Sequence, residues 1–199
     1  MAMNERPRVL IEGHFPTAEF GIESVRERAA ASALPPLYFL HVWWARRPLV
    51  ASAGAILGSL LPAWTPELAE TFEEHPELAT ADAYRTWFLY LCGIWGDPVE
   101  ANRISKANKA SGTKQKGNPY TYKQAYKNSP DTSQLSLLHK VLKHTWGYLP
   151  TVSDPTAGGG SIPFESVRYG LTTHANDLNP IAVSVLKAGI ELSSSMEQV

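Results

Sequence analysis

The 199-residue chain holds one cysteine, Cys92, so it has no internal disulfide and no zinc site built from cysteines alone. It also lacks a long apolar run. The most hydrophobic stretch, Leu49 to Trp64, is interrupted by Ser52, Gly54, Gly58, Ser59 and Pro62. It falls short of the ~20 residues that a membrane span needs and reads as a buried helix. The opening M-A-M-N-E-R-P-R leads into no apolar signal core. These absences point to a reducing, cytoplasmic setting without a membrane or metal partner. What remains is ordinary: 44% hydrophobic and 19% charged residues, enough for a soluble core of one domain or a small domain plus an appendage. The net charge of -1 neither selects nor excludes a nucleic-acid partner.

A more local absence is that of acids. Residues 101 to 130 contain no Asp or Glu, but Arg103, Lys106, Lys109, Lys114, Lys116, Lys123 and Lys127 contribute +7. Of a net charge of -1, the rest of the chain must therefore carry -8. Gly112, Gly117 and Pro119 interrupt the segment, and Tyr120, Tyr122 and Tyr126 are interleaved with the lysines. Residues 101–132 thus read as a basic surface loop or insertion. Lysines neutralise phosphates and tyrosines stack on unpaired bases. Lys106, Lys109, Lys114, Lys116, Tyr120, Tyr122, Lys123 and Lys127 are the candidate DNA contacts. A solvated loop without a partner is the competing reading.

On either side of this segment the pattern is regular. Residues 1–100 read as a mainly helical region, with Val9-Leu10-Ile11 a short strand candidate and Ile22 to Ala31 helix-like. Pro48 suits the first turn of a helix through Leu61, Pro62 helps to stop it, and Thr65-Pro66 starts another. From residue 133 on, Leu135, Leu138, Leu142 and Trp146 keep helical spacing. Leu149 to Ser153 and Leu171 to Ala175 are strand candidates. Between them a helix is capped by Ser161 and ended by Gly170; Asn179-Pro180 starts another, through Leu192. Residues 133–199 thus end in β-α-β-α order, which argues for a parallel sheet and an α/β fold class.

The first of these strands runs into S-D-P-T-A-G-G-G-S, residues 153 to 161. In a strand-loop-helix unit this loop lies at the carboxyl edge of the sheet, where open α/β sheets bind ligands. Glycines let a ligand approach the backbone, and the next helix offers free N–H groups. Asp177, at the end of the second strand, follows Gly158 by 19 residues, a position from which a carboxylate takes the two hydroxyls of a ribose. No lysine follows the glycines, against a phosphate loop, and Pro163 stands where a nicotinamide fingerprint needs its third glycine. S-adenosylmethionine has no pyrophosphate and offers an amino group to an acid such as Asp154.

D-P-T-A-G-G-G-S-I-P-F-E closely resembles the first cofactor motif of class I DNA amino-methyltransferases, and A-N-D-L-N-P-I-A resembles the segment that follows it. V-L-I-E at 9–12, E-S-V-R-E at 23–27 and H-V-W-W-A-R-R-P-L at 41–49 resemble the leading domain of a family of adenine-specific DNA methyltransferases. The likeness covers residues 6–60 and 150–190. It implies the start of a Rossmann-like class I methyltransferase sheet preceded by a mainly helical region. It also implies S-adenosylmethionine as cofactor, held by Asp154, Pro155, Thr156, Ala157, Gly158, Gly159, Gly160, Asp177 and Leu178. W-W-A-R-R-P-L is similar to a motif before a helix near the cofactor's methionine end, which would place Arg46, Arg47 and Pro48 there. An arginine matches a carboxylate in geometry. The competing reading makes the tryptophans core and the arginines a solvated helix start; His41 reads as structural.

The chain departs from the family at one place. DNA amino-methyltransferases hold the target amino group with an N/D-P-P-Y/F loop, and no such tetrapeptide occurs here. Asp97-Pro98 continues with Val-Glu and Asn118-Pro119 with Tyr-Thr. No catalytic residue is therefore assigned. The expectation is a cofactor-binding front portion of a DNA (adenine N6) methyltransferase of a restriction-modification type, completed by further sequence or a second chain. The alternative is a non-catalytic DNA-binding or regulatory subunit of a modification or defence system.

Overall fold

A computed structural model describes residues 6–29, 35, 37–41, 47–112 and 117–191. In chain order the helices are α1 (Thr17–Arg28), α2 (Leu37–Leu40), α3 (Leu49–Leu60), α4 (Pro66–Thr71), α5 (Ala81–Leu91), α6 (Pro98–Ala110) and α7 (Thr132–Trp146). Then follow β1 (Val152–Asp154), α8 (Ser161–Arg168), β2 (Thr173–Ala175) and α9 (Pro180–Leu186), which runs on into a π-type turn over Lys187–Glu191. The architecture is mixed: mainly helical, with a small parallel sheet. No described helix is long and apolar enough to cross a membrane.

The core lies where α3, α5 and α7 meet. Leu57, Phe88, Leu138, Val141 and Leu142 are fully buried there. The apolar run that the sequence marks as a buried helix is α3, and Gly54 explains one of its breaks. The Phe20 ring of α1 lies so close that a Cβ on Gly54 would be 2.3 Å from it. Three tryptophans enter the core with their indole N–H satisfied, as burial requires. Trp146 donates to the Leu60 carbonyl (2.8 Å), Trp64 to Leu78 (2.9 Å) and Trp87 to the Gln134 side chain (2.6 Å). Tyr169, just after α8, is buried and donates to the Leu91 carbonyl (3.1 Å), tying the β-α-β part to the helical core.

Several local expectations hold. Thr65 caps α4 by accepting from the Leu68 N–H, with Pro66 at its first position. Asn179 caps α9 through the Ile181 N–H, with Pro180 next. Gly170 has φ +69 just past the end of α8. β1 and β2 pair in parallel, with Val152 opposite Thr173 and Asp154 opposite Ala175.

Others are corrected. Pro48 is the residue before the first turn of α3, with ψ 135, and not inside that turn. Ser161 is the first residue of α8; the cap position is Gly160, in left-handed conformation. Val9-Leu10-Ile11 forms no strand: Val9 makes a single antiparallel bridge to Pro62 and the chain then turns over Leu10–Glu12. Pro62 has no N–H to extend the ladder. Helix α1 begins five residues before Ile22, and Ala31 lies outside the described residues. The basic segment is not one loop, because α6 occupies its first third.

Candidate functional site

The glycine loop and the candidate ribose acid meet. The loop leaves β1 at Asp154 and enters α8 at Ser161. Gly158 (φ +52) and Gly160 (φ +81) adopt the left-handed conformation that favours glycine. Space reinforces the second choice, since a Cβ on Gly160 would lie 2.9 Å from the Leu186 side chain of α9. The loop is knitted to the second strand end: the Ala157 N–H donates to the Asn176 carbonyl and the Asn176 N–H to the Asp154 carbonyl, both 2.9 Å. Asp154 also accepts from the Thr156 N–H through Oδ1 (3.2 Å), which leaves its other oxygen without a partner among the described residues.

Asp177 closes the arrangement. Its Oδ2 accepts from the Gly158 N–H and its Oδ1 from the Asn179 N–H, both at 2.8 Å. The Asn179 N–H, and after it the Gly158 N–H, hold this carboxyl below the usual carboxylate range. The Leu178 N–H adds to this pull. Leu178, next in the chain, is 97% exposed beside this acid. Pro155 and Thr156 are exposed, Gly158 and Gly159 partly covered, and Ala157 buried.

The two stretches that carry the amino-terminal resemblance also meet. Glu27, the last residue of E-S-V-R-E, is buried in α1 and accepts from the N–H groups of Leu49 (2.8 Å) and Val50 (3.2 Å). It caps α3, the helix that R-R-P-L opens, from another element. Burial raises the Glu27 carboxyl above its usual range, against the pull of those two N–H groups. Leu49 in turn packs with Tyr38 against Phe164 of S-I-P-F-E, so α3 lies on α8, the helix behind the glycine loop. Glu27 is absent from the sequence-based candidates. The sequence carries no local signal for it: Glu23 and Glu27 lie four apart on α1, but their burial and the contact with Leu49 appear only in the fold. Arg47 is exposed and its carbonyl accepts from the Tyr38 hydroxyl (2.8 Å); Pro48 is partly covered. Arg46 lies outside the described residues.

The chain is similar to one family model. It is that of a protein of unknown function, DUF1156, and it matches residues 14–85. That span contains E-S-V-R-E, R-R-P-L and all of α3, and stops well before the glycine loop. No curated protein and no solved structure matches.

In the basic segment, Lys106, Lys109, Lys123 and Lys127 are exposed, and Lys114 and Lys116 lie outside the described residues. The tyrosines are engaged within the protein. Arg26 stacks over Tyr120 (4.0 Å) and Tyr122 (4.9 Å) and donates to the Tyr122 carbonyl at 2.7 Å. The Tyr122 hydroxyl donates to Glu23 at 2.7 Å. Among the described residues no cluster of His, Cys, Asp and Glu suits a metal ion.

Proposed function

We propose that the chain is the cofactor-binding portion of an S-adenosylmethionine-dependent DNA methyltransferase, directed at adenine N6, with a Rossmann-like sheet of which β1 and β2 are part. One observation carries this reading. The glycine loop and Asp177 occupy the carboxyl ends of two parallel strands and touch through the Gly158 N–H. The donor and acceptor chemistry fits the group. A carboxylate kept ionised at the end of the second strand suits ribose hydroxyls. The spare oxygen of Asp154 suits an ammonium, and exposed Leu178 offers apolar surface to a base. The backbone of Gly158 and Gly159, partly exposed and without side chains, allows close approach, while Gly160 is covered by Leu186. Bound there, the cofactor supplies an activated methyl group. The contribution of these residues is to fix its position, which is where such a transfer gains most of its rate.

The residues that would hold the target amino group are not among these 199. The exposed lysines Lys106, Lys109, Lys123 and Lys127 favour a second reading, a DNA-binding or regulatory subunit that keeps the front of the fold for assembly. Competition binding separates the two. The chain is incubated with labelled S-adenosylmethionine and challenged with S-adenosylhomocysteine, NAD or ATP. Displacement by the first alone supports the cofactor reading; absence of uptake together with DNA binding supports the second.

A further inference from the structure

Tyr120 and Tyr122 are taken up by Arg26 and Glu23, but another aromatic beside the basic segment is not absorbed by the fold. Trp95, between α5 and α6, is 44% exposed. Its ring stacks on Tyr90, with 5.2 Å between centroids and 8° between planes. Its Nε1–H donates to the Tyr90 carbonyl at 3.2 Å. The ring is thus held from one side while much of its apolar surface stays in water.

The basic segment runs beside it. Gly96 packs so tightly on the basic segment that a Cβ there would lie 2.7 Å from the Tyr122 ring and 3.0 Å from Thr121 Oγ1. Exposed Lys123 is therefore close by. Lys106 and Lys109 lie roughly 12 and 17 Å along α6 from Pro98, at 1.5 Å per residue. Of the acids nearby, Glu100 pairs with Arg103 and Glu23 with Arg26 and Tyr122, while Asp97 caps the Glu100 N–H. Lys106, Lys109, Lys123 and Lys127 have no carboxylate partner among the described residues.

We infer that Trp95, backed by Tyr90, is a stacking platform for an unpaired nucleotide, and that Lys123 and the α6 lysines take the phosphates flanking it. Duplex DNA offers base edges and a backbone, so the platform selects single-stranded or extruded bases. The inference rests on the nucleic-acid part of the proposed function and is independent of the cofactor part.

The test uses the full chain and a short oligothymidylate. Affinity is read from anisotropy of a labelled strand over a series of salt concentrations, and stacking from quenching of intrinsic tryptophan fluorescence. Trp95→Leu should weaken binding about 5- to 150-fold, the range for losing one base stack, and leave the salt dependence unchanged. Trp95→Phe keeps a ring and should bind within a few-fold of wild type, but should lose the part of the quenching that Trp95 contributes. Because that variant still binds, the quenching comparison does not depend on Trp95→Leu folding. Wild-type affinity in Trp95→Leu, or equal quenching in wild type and Trp95→Phe, overturns the inference, as does a wild-type chain that does not bind the strand. A chain that binds the strand through Trp95 but takes up no S-adenosylmethionine sinks the cofactor reading alone.

Discussion

Removing the charge of Glu165 should change how stability responds to pH. Glu165 lies in α8, the helix that follows the glycine loop, and is 1% exposed. Its oxygens accept from Arg168 at 2.7 and 3.0 Å, and Arg168 also donates to the Asn128 carbonyl and the Ser129 hydroxyl. Burial pushes the Glu165 carboxyl up to about 7, against the pull of Arg168. The folded state thus binds this proton more tightly than the unfolded chain does. The resulting stability is full below the unfolded value of 4.5 and is lost as pH rises through about 7. At 1.36 kcal/mol per unit the loss is on the order of 3 kcal/mol, a large share of a typical 5–15 kcal/mol. With a urea dependence of about 1–3 kcal/mol/M, the midpoint should fall by at least about 1 M between acid and alkaline ends of that range. Glu27, also raised, adds to the fall. The carboxyls that are lowered, Glu12, Glu67, Glu100 and Asp177, act with the opposite sign but below 4.5. The assay is urea unfolding of wild type and Glu165→Gln between pH 4.5 and 8. The difference between them should move in favour of Glu165→Gln by on the order of 3 kcal/mol as pH rises. A constant difference, or one moving the other way, refutes the reasoning.

Three further outcomes follow from the packing and the charge distribution. Gly54→Ala drives a methyl into the Phe20 ring, 2.3 Å away, and should cost about 1–3 kcal/mol by thermal unfolding, with Gly54→Ala/Phe20→Leu partly restored. Glu27→Ala leaves the Leu49 and Val50 N–H groups buried without an acceptor and should cost about 2 kcal/mol, more than Glu27→Gln, in urea titrations. Replacing Lys106, Lys109, Lys123 and Lys127 with Gln should flatten the salt dependence of DNA affinity; an unchanged slope excludes them as phosphate contacts.

The β-α-β-α order was legible because its boundaries are marked by residues with strong backbone rules. Gly160, Gly170 and Asn179-Pro180 stand where a left-handed turn or a cap is required. The meeting of Asp177 with Gly158 was implied by position but not by any local signal, since it depends on the register of two strands. The basic segment was misjudged in part because its charge drew attention from its helix formers: A-N-R-I-S-K-A-N-K-A contains three alanines, and Asp97 caps it. Val9 to Ile11 shows the reverse failure, an apolar run that finds only Pro62, just past α3, as a bridge partner. The Glu27 cap joins residues 22 apart in sequence, which no periodicity reveals. The pairing of Tyr122 with Glu23 across 99 residues is equally tertiary.

The central claim is that Asp177 and the glycine loop hold the ribose and methionine parts of S-adenosylmethionine. Calorimetric titration of the intact chain with S-adenosylmethionine, in wild type, Asp177→Ala and Leu178→Ser, tests it most directly. Leu178→Ser should leave thermal stability unchanged, because the side chain is 97% exposed, and still weaken binding. Asp177→Ala should weaken binding at least about tenfold, the equivalent of one charge-assisted hydrogen bond. Equal affinity in wild type and Asp177→Ala would contradict the account.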